Sequence, residues 1–178
     1  VKDPSVYVRF PITSGPLKDL NASLLVWTTT PWTLVSNTAI AVHPDVEYVA
    51  VKTAGTEEMP SEVLVVAEPW LSVVLSVAGE GAEVLKKLSG KALERTSYSR
   101  PFDFIEIPDA HFVILADYVT TEDGTGLVHQ APAFGADDLQ SCRKYELPVV
   151  NPVLPNGHFA DETTLVGGMF FKDADKPL

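Results

Sequence analysis

Residues 38–53 read T-A-I-A-V-H-P-D-V-E-Y-V-A-V-K-T. Two runs, 38–43 and 47–53, alternate from one side to the other and are parted by His43-Pro44-Asp45, which is turn chemistry. A period of two puts every second side chain on one face, the pattern of a half-buried strand. Residues 5–12 (S-V-Y-V-R-F-P-I) alternate in the same way, and 22–28, 62–67 and 112–119 are short Val/Leu/Ile runs that read as buried strands. Ser14-Gly15-Pro16, Ala54-Gly55-Thr56, Glu122-Asp123-Gly124 and Pro155-Asn156-Gly157 supply further turns. Two stretches are helical instead. Residues 68–78 carry Trp70, Leu71, Val74 and Leu75 behind Glu68-Pro69, and 136–146 follow Gly135 with acids first and Arg143-Lys144 last, matching the helix dipole. Many short strands with few helices predict an α+β fold, a β-barrel-like closed sheet with helices on its rim.

Length and charge narrow the classes of function. The chain has 178 residues, enough for about one domain spanning 1–178. Hydrophobic residues make up 46% and charged residues 21%, which excludes disorder. The net charge of −11 (13 basic against 24 acidic residues) argues against an autonomous nucleic-acid binder, because phosphate contacts need clustered cations. It leaves room for a domain that receives one end of a nucleic acid gripped elsewhere. The single cysteine, Cys142, excludes a disulfide framework and reads as a small buried or half-buried thiol in a reducing cytoplasm. No apolar run is long enough to span a membrane, and no secretory signal is visible from V-K-D-P onward. The first residue is not Met and residues 172–178, K-D-A-D-K-P-L, read as a linker, so the expectation is a domain cut from a larger protein.

Chemistry concentrates in two segments. In 24–37, L-L-V-W-T-T-T-P-W-T-L-V-S-N, a buried strand runs into a proline that ends its ladder. Thr28, Thr29, Thr30 and Thr33 then cluster at a strand end, with Trp27 or Trp32 as an apolar face. They read either as a Thr-rich strand end or as a hydroxyl-lined pocket wall. In 123–138, D-G-T-G-L-V-H-Q-A-P-A-F-G-A-D-D, a short strand ends at His129 and a helix opens with two acids. His129 and Asp138 converge only if the loop between them folds back, which Pro132 and Gly135 permit. The plain alternatives are a strand-end histidine and a helix-start acid. His43, His111 and His158 have no acidic or Cys partner at ligand spacing, so no metal site is expected.

Together the two segments resemble the editing domain, the first connective-polypeptide insertion, of class I aminoacyl-tRNA synthetases for branched aliphatic amino acids. Valine and leucine sub-families carry T-T-R-P-E-T or T-T-R-P-D-T, whereas residues 28–33 here are T-T-T-P-W-T. That form, with S-N-x-A-I-A-V-H-P at 36–44 and G-T-G-L-V-H-Q-A-P-A-F-G-A-D-D at 124–138, is similar to the isoleucine sub-family. Val35 departs from it, standing where proline is usual. The resemblance implies a barrel-like editing domain that hydrolyses mischarged valyl-tRNA(Ile), and valyl-adenylate with it. It implies that Asp138 pairs with the substrate ammonium, and that His129 walls the pocket or takes a proton. Thr28, Thr29, Thr30 and Thr33 would bind the terminal adenosine and position water, beside Trp27 and Trp32. The implied partners are the 3′ end of tRNA(Ile), the valine moiety and the rest of the synthetase, with no membrane. No cofactor is implied in this domain, ATP and Mg belonging to the parent's synthetic core. The alternative is a non-catalytic β-barrel module that binds an aminoacyl-nucleoside or packs on a partner.

Overall fold

A computed structural model describes residues 4–178. The opening tripeptide, and with it the start of the reading for a secretory signal, lies outside the described residues. Two sheets carry the fold. The first has five strands in the order β1 (Val6–Pro11), β2 (Ala22–Thr28), β5 (Val63–Ala67), β4 (Glu47–Lys52) and β6 (Glu83–Ser89). The second has three, β7 (Phe112–Leu115), β3 (Ala39–Val42) and β8 (Leu127–Gln130). Helix α1 (Leu71–Ala78) covers the first sheet; a one-turn helix α2 (Gly90–Leu93) follows β6, and α3 (Ala136–Lys144) lies against the second sheet.

The unbroken apolar run of β5 has a simple cause. This strand lies between β2 and β4, and its two faces enter different cores. Val63, Val65 and Ala67 join the main core between the sheets, whereas Leu64 and Val66 pack under Trp70, Leu71 and Val74. A strand buried on both faces has no reason to alternate. Strand β3 behaves likewise, with Ile40 and Val42 in the main core and Ala39 and Ala41 packed against Ile114, Cys142 and Leu147.

The α+β class is observed, but among the described residues neither sheet closes into a barrel. Isolated bridges link them through one segment, Ile12 with Tyr98 and Ser97 with Phe112, and the Ala67 N–H donates to the Thr125 carbonyl at 2.8 Å on the other side. The linking segment 96–99 reaches both sides through its backbone. The Ser99 N–H donates to the Pro11 carbonyl at 2.8 Å and the Thr13 N–H to the Ser97 carbonyl at 2.9 Å, while the Tyr98 N–H donates to the His111 carbonyl at 3.1 Å and the Val113 N–H to the Thr96 carbonyl at 2.9 Å. Strand β6 had no counterpart in the sequence reading, since E-V-L-K-K-L-S does not alternate cleanly; a register shift at Ala50/Val51 of β4 accommodates it at the sheet edge. The run 112–119 is shorter than expected, ending as a strand at Leu115.

The linker reading of 172–178 is corrected by the structure. Phe171–Asp175 form a 3-10 helix in which Ala174 is buried with Val35, Phe159 and Val166. Two apolar residues among charges suffice to dock so short a turn when they pack into an apolar cluster. Among the described residues no helix is long and apolar enough to cross a membrane.

Candidate functional site

Strand β2 carries Trp27 and Thr28 at its C-terminal end, and Pro31 turns the chain into a 3-10 helix, Pro31–Ser36. Opposite, the Gly124–Gly126 loop enters β8, which ends just after His129. The loop 131–135 then folds back, closed by the Phe134 N–H donating to the Ala131 carbonyl at 3.0 Å, and α3 begins. These elements enclose a cavity of about 340 Å³. Trp27, Thr28, Thr29, Thr30, Trp32, Thr33, His129 and Asp138 all line it. Fold-back of 131–135 therefore brings His129 and Asp138 to one cavity, the condition their nine-residue separation demanded.

The threonines form a connected ladder rather than a row of independent hydroxyls. The Thr30 N–H donates to Thr28 Oγ1 at 3.2 Å, and the Thr30 hydroxyl stands 3.4 and 3.3 Å from those of Thr28 and Thr33. Thr33 donates its own proton to the Thr30 carbonyl at 2.8 Å. Thr28 and Thr33 are buried, whereas Thr29 and Thr30 are exposed at the mouth. Trp32 meets the ring of Phe134 edge-on with centroids 4.7 Å apart, and its backbone N–H donates to Asp175 Oδ1 at 2.9 Å.

His129 is 8% exposed and bonded at both nitrogens: Nε2 lies 2.9 Å from Thr33 Oγ1, and Nδ1 lies 2.7 Å from Asn37 Nδ2. Burial pushes its pKa down to about 4, so the ring is neutral at neutral pH. Asp138 is half-buried, and its Oδ2 accepts the Ala131 N–H at 2.9 Å. Burial raises its carboxyl above the ordinary range. The carboxylate thus ties down the loop before α3 as well as opening the helix.

Several lining or supporting groups escaped the sequence reading. Asn37 and Tyr98 are buried polar residues far apart in sequence, and only the tertiary fold joins them. Gly126 has a φ of 81°, and a Cβ there would come within 2.4 Å of the Ala67 Cβ, so the loop can approach β5 only as glycine. Tyr48 fixes that loop by donating to the Gly126 carbonyl at 2.6 Å, and Thr125 donates to the Leu25 carbonyl at 2.6 Å. A buried Tyr hydroxyl in an alternating strand was the available signal for the first. Cys142 lies on the buried face of α3, outside the cavity lining; burial pushes its thiol up to about 12, which removes it as a nucleophile. Among the described residues no group of three His, Cys, Asp or Glu side chains could hold a metal ion.

No family model matches the chain. Curated relatives match it end to end. It is 62% identical over 180 residues to an isoleucine–tRNA ligase of Streptomyces coelicolor, covering 100% of this chain and 16% of that protein. It is 55% identical over 204 residues to that of Cutibacterium acnes, covering 99% and 18%. The chain belongs to the isoleucine–tRNA ligase family. It spans about one sixth of the length of those relatives. The isoleucine–tRNA ligase of Thermus thermophilus is 44% identical over 179 residues, again 100% of this chain and 16% of that protein. Among solved structures, GlLeuRS-CP1 superposes with a TM-score of 0.70 at 16% identity, covering 98% of this chain and 93% of that one. The P. knowlesi cytosolic leucyl-tRNA synthetase editing domain gives a TM-score of 0.62 at 13% identity, covering 80% and 63%. The isoleucine–tRNA ligase segment therefore has the fold of leucyl-tRNA synthetase editing domains.

Proposed function

We propose that this segment is a single editing domain over 1–178 whose cavity hydrolyses valine misattached to tRNA(Ile), and valyl-adenylate as a second substrate. The observation that carries this reading is one cavity holding a carboxylate, Asp138, opposite a hydroxyl ladder and a neutral imidazole. Its volume, about 340 Å³, falls within the ~300–1,000 Å³ typical of small-molecule sites. An aminoacyl end brings an ammonium, an activated ester and a ribose, and each has a complement here.

Asp138 receives the ammonium. Thr28, Thr29, Thr30 and Thr33, with the backbone of 28–30, hold the terminal adenosine and place a water against the ester carbonyl. Trp27 and Trp32 give the cavity apolar faces. No protein nucleophile is needed, because the ester is already activated; positioning and hydrogen bonds to the developing oxyanion supply the rate. Water adds to the carbonyl, the tetrahedral centre collapses, and the ribose oxygen leaves with a proton, giving valine and free tRNA.

A synthetic pocket that accepts isoleucine rejects valine by only about 1–3 kcal/mol, so a second, smaller sieve has a physical purpose. The charge of −11 fits a domain that receives only the 3′ end while the rest of the synthetase grips the tRNA body. On this reading ATP and Mg²⁺ belong to the synthetic core outside this segment, and the enzyme works in the cytoplasm. The test is incubation of this chain, and of the longer synthetase, with valyl-tRNA(Ile). Release of valine by the longer enzyme is expected; binding without turnover in both would leave a ligand-binding module instead.

A further inference from the structure

Asn37 sits between two aromatic groups that the hydroxyl ladder does not contain. Its Nδ2 lies 3.1 Å from the Ala39 carbonyl and 2.7 Å from His129 Nδ1, and its Oδ1 receives the Tyr98 hydroxyl at 2.5 Å. The Ala39 carbonyl can only accept, so the amide nitrogen must face it; a flipped carboxamide would set two oxygens against each other. The same nitrogen then donates to His129 Nδ1, which must carry a lone pair. The ring proton therefore resides on Nε2 and is donated to Thr33 Oγ1 at 2.9 Å. Thr33 can accept it because its own proton goes to the Thr30 carbonyl. Each bond fixes the direction of the next.

We propose that Tyr98 and Asn37 are positioning residues for the cavity, locking His129 as the Nε2–H tautomer so that the imidazole presents no free lone pair and takes no proton during hydrolysis. The proposal rests on the hydrolytic reading above only for its functional arm. Tyr98 is suited to the role: it is 4% exposed, its ring stands edge-on to Phe10 with centroids 5.2 Å apart, and its N–H donates to the His111 carbonyl. Burial holds its hydroxyl protonated far above neutral pH, so it stays a donor. The Asn37 backbone is held as well, its carbonyl lying 3.0 Å from His111 Nε2. Removal of the phenol would leave a buried amide oxygen without a partner, which loosens the carboxamide and with it the ring.

The experiment is ¹⁵N NMR of the histidine side chains in this chain, read alongside deacylation by the longer enzyme. In the wild type, Nδ1 of His129 should resonate as an unprotonated nitrogen and Nε2 as a protonated one. The reverse pattern overturns the proposal without any variant being made. In Tyr98→Phe the two resonances should move toward each other as tautomers mix, and valyl-tRNA(Ile) hydrolysis should slow by roughly tenfold. In Asn37→Asp, which places an acceptor against Nδ1, the proton should move to Nδ1. A folded Tyr98→Phe protein with unchanged resonances and unchanged hydrolysis overturns the role of Tyr98. Resonances that shift as expected, in an enzyme that releases no valine before or after the change, would uphold the lock and remove the hydrolytic reading instead.

Discussion

Replacement of Asp138 by asparagine separates charge from shape. The carboxyl Oδ2 accepts the Ala131 N–H at 2.9 Å, and a carboxamide oxygen can take that bond, so the loop before α3 stays in place. What disappears is the negative charge facing the cavity. Burial has already raised the Asp138 carboxyl, a sign that water screens it poorly and that an ammonium partner would be favoured. A hydrogen bond to a charged group is worth about 1.5–3 kcal/mol. At about 1.4 kcal/mol per decade, Asp138→Asn should lower kcat/KM for valyl-tRNA(Ile) by roughly 10- to 150-fold. Asp138→Ala should lose at least as much activity and, by giving up the Ala131 bond, about 1 kcal/mol of stability besides. The assay is valine release by the full synthetase, with melting followed in parallel and aminoacylation as the control. The pH profile adds a sign. Because the folded pKa is raised, the ionised form is lost as pH falls through a value above the ordinary carboxylate range. The acid limb of kcat/KM should start there and be absent in Asp138→Asn. A folded Asp138→Asn enzyme that edits at the wild-type rate refutes the ammonium contact.

Three other expectations can be checked with the same reagents. Thr29→Ala and Thr30→Ala, both at the exposed mouth, should slow hydrolysis by more than they shift the melting temperature; early melting with normal editing per folded molecule would return these residues to a purely structural role. His129→Ala should open the cavity enough to admit isoleucine, giving hydrolysis of correctly charged isoleucyl-tRNA(Ile), since steric exclusion by a packed wall exceeds the ~1–3 kcal/mol of a missing methylene; intact isoleucyl-tRNA(Ile) with a folded variant removes the wall role. Finally, the buried ring should make stability depend on pH: with the folded pKa near 4 and the unfolded near 6.5, the unfolded chain binds more protons between those values, so stability falls as pH drops through that window. Urea midpoints at pH 7.5 and 4.5 should show the wild type losing about 2–3 kcal/mol more than His129→Gln, with the opposite contribution of Asp138 cancelling in the difference; equal losses would mean the ring is not held neutral.

The parts of the site legible from sequence were those whose neighbours in the chain announce them. Three threonines before a proline mark a strand end, and acids after Gly135 mark a helix start, because backbone sterics and the helix dipole act over a few residues. Strands β3 and β4 were legible for the same reason, their alternation being local. The Asn37–Tyr98 pair was not, since its two members are separated by 61 residues and nothing near either announces the other. The junction between the sheets was also illegible: residues 96–99 bond through their backbone to Pro11 and Thr13 on one side and to His111 and Val113 on the other, and partners so distant in the chain leave no local pattern. The terminal turn at 171–175 escaped because its charges resemble a linker's, while the cluster of Val35, Phe159 and Val166 that Ala174 joins exists only in the folded protein.

The division of labour between the two sheets explains why so polar a cavity can survive inside an apolar core. The five-stranded sheet contributes the hydroxyl ladder from the end of β2, and the three-stranded sheet contributes His129 from β8. Antiparallel register pairs Ile40 with His129 and Ala39 with Gln130, so Asn37, two residues ahead of Ala39, meets the ring edge. Between the sheets lie Val26, Ile40, Val65 and Leu127, which hold the two contributions at fixed separation by close packing. Every buried hydrogen-bonding atom of His129 and Asn37 is then satisfied from both sides, through Thr33 on one and Tyr98 on the other. A half-satisfied network would cost stability and blur the ring position; a complete one makes the wall rigid. If the cavity sieves by one methylene, as proposed, that rigidity is required, since a yielding wall would admit isoleucine at little cost. The same bonds that fix the ring also occupy both of its nitrogens, so on the proposed function the imidazole would set the size of the cavity and the threonines with Asp138 would orient what enters it.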